Sequence, residues 1–489
     1  MSIEEPGVSS SHITWKKASL VHLVKLSNLI DMLESFVGDT NNWEISWKTP
    51  TTKKPVTLEN SMWNFIAILQ YKDINSESIS YPIVNKYHNE KTISKGDTIY
   101  LIASPYGIIS PSVFMNTIHR GVICNIISTN NNNNNNLYIT DCKVLPGMEG
   151  GVIVDKEYYN IIGMLLPPIN QLNCSSMEFN FILPMNNILN NITNICKITN
   201  ISIVSNNQSF TNNVVFQAEK SVVLIEIENT WASGIIIKED GTIVTNAHLF
   251  RNYIPPKRVT NNIPIIKTRV VTNNYKHQTF TCDLIYITPF NSYLDLAIIK
   301  INNNNNNNNK FIPIEYLLEN KNITLPSIGT NISVIGYPLY KPNNKIYATC
   351  TTGSLSKIVY YNNKPVIIET NAAVHNGNSG GLLIDSNSGQ WLGLVTCNLK
   401  QKTSNGDSDI IPRLNFSIPI NEIIPVLKYI LNGKNEIFLK ELNLSDNNIH
   451  GLWKLQYDSS EQNVKKQENN KGSEFAKYLQ QLQNPRSKL

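Results

Sequence analysis

Ser379 stands in the stretch Asn376-Gly377-Asn378-Ser379-Gly380-Gly381. A serine hydroxyl is a poor nucleophile at neutral pH. It becomes a good one only where a base can take its proton and donors await the oxyanion that its attack creates. Flanking glycines suit that task, because a backbone without Cβ can turn its N–H toward a bound carbonyl. The N–H groups of Gly377 and Ser379 are therefore the expected oxyanion donors. Taken alone the stretch also reads as an ordinary turn, since its residues are turn formers, so partners elsewhere must decide.

Two partners stand upstream. His248 closes Thr245-Asn246-Ala247-His248, after the run Thr242-Ile243-Val244. His375, just ahead of Ser379, and His277, in a polar loop, are the other candidate bases. His248 is preferred because its flanks are small and apolar and a barrel core can hold its imidazole. Asp295 lies in Leu294-Asp295-Leu296-Ala297-Ile298-Ile299. A lone carboxylate at the mouth of an apolar strand is costly unless something bonds to it, and a histidine N–H is such a partner. A turn-capping aspartate is the plainer alternative. The chain order His248, Asp295, Ser379 is the chymotrypsin order, not that of subtilisin or the α/β-hydrolases.

The elements that must position these residues are strands. Short apolar runs separated by turn residues recur from about residue 98, as in Gly121-Val122-Ile123-Cys124, Ser221-Val222-Val223-Leu224-Ile225 and Trp391-Leu392-Gly393-Leu394-Val395. Many short strands with turn signals between them indicate an all-β barrel or sandwich. Apolar residues at helical spacing predict a helix over 421–432, with Gly433 as its stop. Residues 1–60 are mixed, with short strands expected around Trp43–Trp47 and Asn64–Leu69. The tracts Asn130–Asn136 and Asn302–Asn309 read as tolerated surface-loop expansions.

The chain also repeats itself. Gly377-Asn378-Ser379-Gly380-Gly381-Leu382-Leu383-Ile384-Asp385 is echoed by Gly147-Met148-Glu149-Gly150-Gly151-Val152-Ile153-Val154-Asp155. Leu392-Gly393-Leu394 matches Ile162-Gly163-Met164, and Asn415-Phe416-Ser417-Ile418-Pro419 matches Asn180-Phe181-Ile182-Leu183-Pro184. Several matched blocks in order imply a second copy of one unit, with Glu149 where the nucleophile would be.

Composition excludes several classes. The net charge of +5 is spread along 489 residues and forms no basic stripe, so nucleic acid is not an expected partner. Seven scattered cysteines without a Cys-x-x-Cys pair argue for a reducing compartment and against a disulfide framework or zinc site. No metal or cofactor is expected. The N-terminus is acidic and lacks an apolar core, so it does not read as a secretory signal. No apolar run of ~18 residues is present, so no membrane insertion is expected. The chain ends in Ser487-Lys488-Leu489, an address read by the peroxisomal import receptor.

Residues 221–420 resemble the Deg/HtrA branch of the trypsin-like serine proteases. The matching blocks include Ala232-Ser233-Gly234, Thr245-Asn246-Ala247-His248, Leu294-Asp295-Leu296-Ala297, Val334-Ile335-Gly336-Tyr337-Pro338, Thr370-Asn371-Ala372-Ala373-Val374 and Gly377-Asn378-Ser379-Gly380-Gly381. The resemblance implies an all-β, chymotrypsin-like double β-barrel, with a degenerate second copy in the N-terminal half. It carries the catalytic roles onto His248, Asp295 and Ser379. It also implies a substrate pocket lined by Ala373, Val374, Asn415, Phe416 and Ser417. The expected domains are 1–195 (degenerate copy), 196–220 (linker), 221–433 (active copy) and 434–489 (polar tail). A departure is the tail, which leaves no room for the PDZ domains typical of HtrA proteins.

With the terminal address, the chain is also similar to the family of peroxisomal (glyoxysomal) leader-peptide-processing proteases. That resemblance implies a peroxisomal matrix serine endopeptidase whose substrates are matrix-protein precursors, including itself, and leaves homo-oligomer formation open. A general degradative Deg protease and a non-catalytic chaperone on a protease scaffold are the alternatives.

The pocket yields a test. A preference for Lys or Arg before the cut needs a carboxylate at the pocket base, and Ala373 stands where it would be. A buried cation there would lack a counter-charge, at a cost of several kcal/mol. A peptide library varied at that position should favour Cys, Ala, Val or Leu; preferred cleavage after Lys or Arg would refute the pocket assignment.

Overall fold

In the computed structural model the described residues are 18–26, 29–37, 43–45, 63–71, 86–88, 93–106, 115–128, 136–155, 160–171, 178–196, 202–204, 214–254, 264–271, 277–302, 311–314, 324–339, 347–402, 408–433, 435, 437–440, 446–453 and 456–457. The terminal Ser487, Lys488 and Leu489 and most of both asparagine tracts lie outside them.

The first half carries β1 (Ala18–Lys25), α1 (Leu29–Val37), β2 (Trp43–Ile45), β3 (Phe65–Tyr71), β4 (Lys86–His88), β5 (Thr98–Ala103), β6 (Thr117–Ser128), β7 (Asn136–Thr140), β8 (Val152–Asp155), β9 (Ile161–Leu165), β10 (Ile169–Gln171), β11 (Asn180–Pro184), α2 (Met185–Cys196) and β12 (Ser202–Val204). Six strands run β11-β7-β6-β5-β8-β9, and pairing of β9 with β11 closes them into a ring. The second half opens with α3 (Val214–Glu219), followed by β13 (Val222–Ile227), β14 (Thr230–Lys238), β15 (Thr242–Thr245), β16 (Ile266–Val271), β17 (His277–Ile287) and β18 (Ala297–Ile301). These six strands form a closed barrel. Then come β19 (Asn331–Gly336), β20 (Thr349–Tyr361), β21 (Lys364–Thr370), β22 (Leu382–Asp385), β23 (Trp391–Lys402), β24 (Ser408–Pro419) and α4 (Ile420–Leu431). They form a second ring, closed by β22 against β23.

The order β24-β21-β20-β19-β22-β23 repeats β11-β7-β6-β5-β8-β9 strand for strand, and each ring runs directly into a helix. The repeat in the sequence is thus one ring plus one helix. Among the described residues, the first half has no second closed ring. In its place are the two-stranded ribbons β1–β3 and β2–β10 and the helix α1, whose Met32 and Leu33 share a core with Trp43, Trp63 and Phe181.

The strand β13 shows why its sequence lacks polar alternation. Val223, Ile225 and Ile227 fill the interior of their own barrel, while Val222 and Leu224 join the core between that barrel and the next ring. A strand buried on both faces must be apolar at its buried positions, and the one polar residue of β13, Glu226, is only partly buried. Each such side chain contributes about 1.5–3 kcal/mol by leaving water.

The two copies meet through equivalent strands, β6 and β20. Asn125 Nδ2 donates to Tyr347 O at 3.2 Å and to Thr349 Oγ1 at 3.1 Å. Asp141 accepts the N–H of Val122 with one oxygen and that of Thr352 with the other, each at 2.9 Å. Lys95 Nζ pairs with Glu219 Oε1 at 2.5 Å and donates to Ala348 O at 2.6 Å.

Two stretches differ from their sequence reading. The expected linker 196–220 contains α3, whose Val215 and Ala218 are buried in the second half's core. The expected polar tail contains the short helix Asn447–Leu452, capped by Asp446, with Ile449 buried in that same core. Both segments are too short, and hold too few apolar residues, for periodicity to reveal them.

Candidate active site

The seam between the closed barrel and the second ring gathers the residues singled out above. His248 lies in the single turn Ala247–Leu249 that follows β15. Asp295 stands just ahead of β18, and Ser379 just ahead of β22.

Asp295 holds His248 twice. Its Oδ1 accepts the backbone N–H of His248 at 2.8 Å, and its Oδ2 meets His248 Nδ1 at 2.6 Å. An ionised carboxylate can only accept, so the ring proton resides on Nδ1 and Nε2 is left as the basic nitrogen. Behind them, Asn246 Nδ2 donates to Asp295 O at 2.9 Å and to Thr396 Oγ1 at 3.3 Å. Thr396 O in turn accepts from Ser379 Oγ at 3.3 Å. A hydrogen-bonded path therefore runs from Ser379 through Thr396 and Asn246 to Asp295 and His248. The Ser379 hydroxyl spends its proton on Thr396 here, not on His248.

Gly377 shapes the donor loop. Its φ of 96° lies in the left-handed region, and a Cβ there would stand 2.2 Å from Tyr337 O and 2.6 Å from Trp231 Nε1. Only glycine fits. Among the described residues, neither the N–H of Gly377 nor that of Ser379 donates to a backbone carbonyl. The first copy keeps the loop's backbone, with φ of 90° at Gly147 and 79° at Gly150 against 96° and 77° at Gly377 and Gly380. There, however, the N–H of Gly147 donates to Glu149 Oε2 at 3.0 Å. The carboxylate that replaces the serine occupies the donor the serine's oxyanion would need.

The pocket residues are drawn together by the register. Thr370 pairs with Asn415 and Glu369 with Phe416 between β21 and β24, while Cys397 pairs with Phe416 between β23 and β24. Asn415 Nδ2 donates to Ala372 O at 2.7 Å, Asn398 Nδ2 to Val374 O at 2.9 Å and Thr351 Oγ1 to Ala373 O at 2.8 Å. Ala373, Val374, Asn415, Phe416 and Ser417 are all buried.

His375 points elsewhere. Its ring lies against Phe179 of the first copy, with centroids 5.3 Å apart. Its Nε2 is 4.0 Å from Glu178 Oε2, beyond hydrogen-bond range, and has no hydrogen-bond partner. Burial, with the Arg413 cation nearby, holds the imidazole pKa down to about 4.

Sequence reasoning missed Ser233, Asn246, Thr396 and Arg251. Ser233 donates its N–H to Ser379 O at 2.8 Å and its hydroxyl to Gly377 O at 2.7 Å. Arg251 places a guanidinium nitrogen 3.9 Å from Asp295 Oδ1 while donating to Phe290 O. Ser233 and Asn246 sit inside motif blocks, but their partners are far away in sequence.

A closed barrel packed on a second ring, with a histidine, an aspartate and a glycine-flanked serine at the seam, is the arrangement of a trypsin-like peptidase domain. Residues 232–394 match that family. Over a longer span the chain is similar to the peroxisomal leader peptide-processing protease of Homo sapiens, 23% identical over 378 residues that cover 74% of this chain and 61% of that protein. The protein of the same name from Mus musculus is 25% identical over 381 residues, covering 76% and 61%. The chain thus spans less than two thirds of the length of these relatives. A solved structure of Deg5 is 24% identical and covers 47% of this chain and 98% of its own, with a TM-score of 0.35.

The depressed His375 pKa predicts a pH dependence. The unfolded chain takes up a proton near pH 6.5, which the folded site resists down to about pH 4. The stability this provides is full above about pH 6.5 and is lost as pH falls toward 4, by up to about 3 kcal/mol. Glu178 and Arg413 lie near His375, Asp141 and Lys143 act in turn on Glu178, and all four are kept in a His375→Phe variant. Denaturant titrations from pH 7 to pH 4.5 should show a shallower loss of stability in that variant; parallel curves would contradict the assignment.

Proposed function

We propose that the chain is a peroxisomal serine endopeptidase that removes leader peptides from imported matrix-protein precursors and processes other matrix proteins, itself included. The observation that carries the protease reading is the double grip of Asp295 on His248, which fixes the imidazole with Nε2 free on the seam where Ser379 lies. The family match over 232–394 supports it. The leader-peptide reading is supported by the names of the human and mouse relatives, and the peroxisomal one also by the terminal Ser-Lys-Leu.

In this reading Ser379 Oγ leaves its bond to Thr396 O and turns to His248 Nε2, exchanging one hydrogen bond for another. It attacks the scissile carbonyl carbon while Nε2 takes the hydroxyl proton, and Asp295 stabilises the imidazolium. The oxyanion accepts from the N–H groups of Gly377 and Ser379. Collapse expels the amine with a proton from His248, and water then cleaves the acyl-enzyme by the same steps in reverse. The first copy is catalytically silent, because Glu149 is no serine and its carboxylate blocks Gly147 N–H.

Incubating the full-length protein with a matrix-enzyme precursor tests the reading. Ser379→Ala should fold, lose fluorophosphonate labelling and lower kcat roughly 10⁴-fold or more, with a similar order of loss for Asp295→Asn. Undiminished cleavage by Ser379→Ala would sink it, and folded protein that binds precursor without ever cutting it would favour the chaperone alternative.

The address is tested separately. A tagged chain lacking Ser487-Lys488-Leu489 should stay in the cytosol, whereas continued arrival in peroxisomes would remove this support for the location.

A further inference from the structure

An oxyanion loop works only if its N–H groups already point at the reacting carbonyl, because reorientation during the reaction would forfeit most of the gain. Within the second half, the segment 371–379 is tied by Thr351, Asn398 and Asn415 through the carbonyls of residues 372–374, and by Ser233 through those of Gly377 and Ser379. Those ties leave a gap between residues 374 and 377. The next two residues, His375 and Asn376, are held by contacts that lead into the first copy.

Three such contacts converge. The ring of His375 lies on Phe179, beside the Glu178 carboxylate. Glu178 Oε1 is 3.1 Å from Arg413 Nε, and Arg413 Nη2 donates to Asp141 O at 2.7 Å, so an arginine of β24 is bound to two segments of the first copy. Asn376 O accepts the N–H of Leu339 at 2.8 Å, and the Leu339 side chain packs on the first copy's core, the one that includes Phe179 and Phe181.

Leu339 and Arg413 are non-glycine residues in the left-handed region, with φ of 69° and 56°. Such a conformation costs about 1 kcal/mol or more and persists only where surrounding contacts over-determine it. Both residues reach into the first copy. Burial raises the Glu178 pKa, and the Arg413 cation opposes that rise.

We propose that the silent first copy is a second support of the oxyanion loop, beside Ser233, and that Glu178, Leu339 and Arg413 are positioning residues for catalysis at Ser379. Phe179 braces the His375 ring, Glu178 beside it braces Arg413 from outside the pocket, and Leu339 anchors Asn376 next to Gly377. The inference rests on the serine-peptidase reading above. It assigns the first copy a role in turnover that needs no chemistry of its own.

The test uses the full chain with Glu178→Ala, Leu339→Ala, Arg413→Ala and the Glu178→Ala/Arg413→Ala pair. kcat, KM, the second-order rate of fluorophosphonate labelling and the thermal midpoint are measured on each. Misplacing the donors without touching the pocket should lower kcat roughly 10- to 100-fold. KM should stay within about threefold of the parent, since ground-state binding is left alone. Labelling should slow in parallel with kcat, because the phosphonate oxygen uses the same donors. The double variant should lose little beyond either single one, since both residues belong to one brace. Glu178→Gln, which keeps the side chain's shape and an acceptor for Arg413, should recover part of the rate, and it carries the comparison if the alanine variant does not fold.

A Glu178→Ala enzyme with kcat and labelling within about twofold of the parent overturns the proposal. So does a loss fully accounted for by a smaller folded fraction. Continued cleavage by Ser379→Ala instead marks the failure of the peptidase reading, so the two failures are told apart.

Discussion

Ser233 is the residue on which the second half's geometry turns. Its N–H bonds to Ser379 O, its hydroxyl bonds to Gly377 O and accepts the N–H of Tyr337, and its carbonyl accepts from Thr245 Oγ1. Every polar group of one fully buried residue is committed, and all but one bond crosses from the closed barrel to the second ring. A buried polar group left unpaired costs about 1–3 kcal/mol, so a displacement of the seam would break several bonds together. The space is equally restrictive. A Cβ on Gly380 would lie 2.1 Å from Ser233 O, so the loop that carries Ser379 cannot drift toward the barrel without collision. Rigid placement of the serine thus follows from hydrogen bonding and steric exclusion acting at the same point.

Much of this was legible in the sequence, and the reasons are local. The glycines flanking Ser379, the strand runs and the matched block around Glu149 are properties of contiguous residues. So is the helix expected over 421–432, which appears as Ile420–Leu431. Asp295 could be linked to His248 because an isolated carboxylate among aliphatic residues demands a partner. Asn246 and Thr396 could not be linked, because their bond spans a sequence gap that no local pattern records. That the described residues of the first half close into one ring was likewise hidden. Residues before Ile93 show little period-2 alternation, and the helix α1 buries its face against strands that come much later in the chain. His375 was a candidate base from its place four residues before Ser379, but its ring lies against Phe179 of the first copy instead.

The comparison between copies isolates where the two glycine loops differ. The φ angles of both glycine pairs agree closely, 90° and 79° against 96° and 77°, and Asn180 bonds to Cys142 O as Asn415 bonds to Ala372 O. The difference is carried by side chains. Met148 replaces the buried Asn378, and a carboxylate replaces a hydroxyl and folds back on the nearest N–H. Scaffold geometry survives such changes because it is fixed by strand register and by the core, which neither substitution disturbs.

The meeting of β6 with β20 has one more consequence. Equivalent strands facing each other are the geometry of a symmetric dimer, here written into one polypeptide. A covalent tether sets the local concentration of one copy near the other on the order of millimolar, whatever the concentration of the protein as a whole. Dilution therefore cannot separate them. A cut in the stretch between α2 and α3 would leave every contact in place yet turn their loss into an ordinary bimolecular dissociation. The nicked enzyme would then carry a memory of its own concentration that the intact chain lacks.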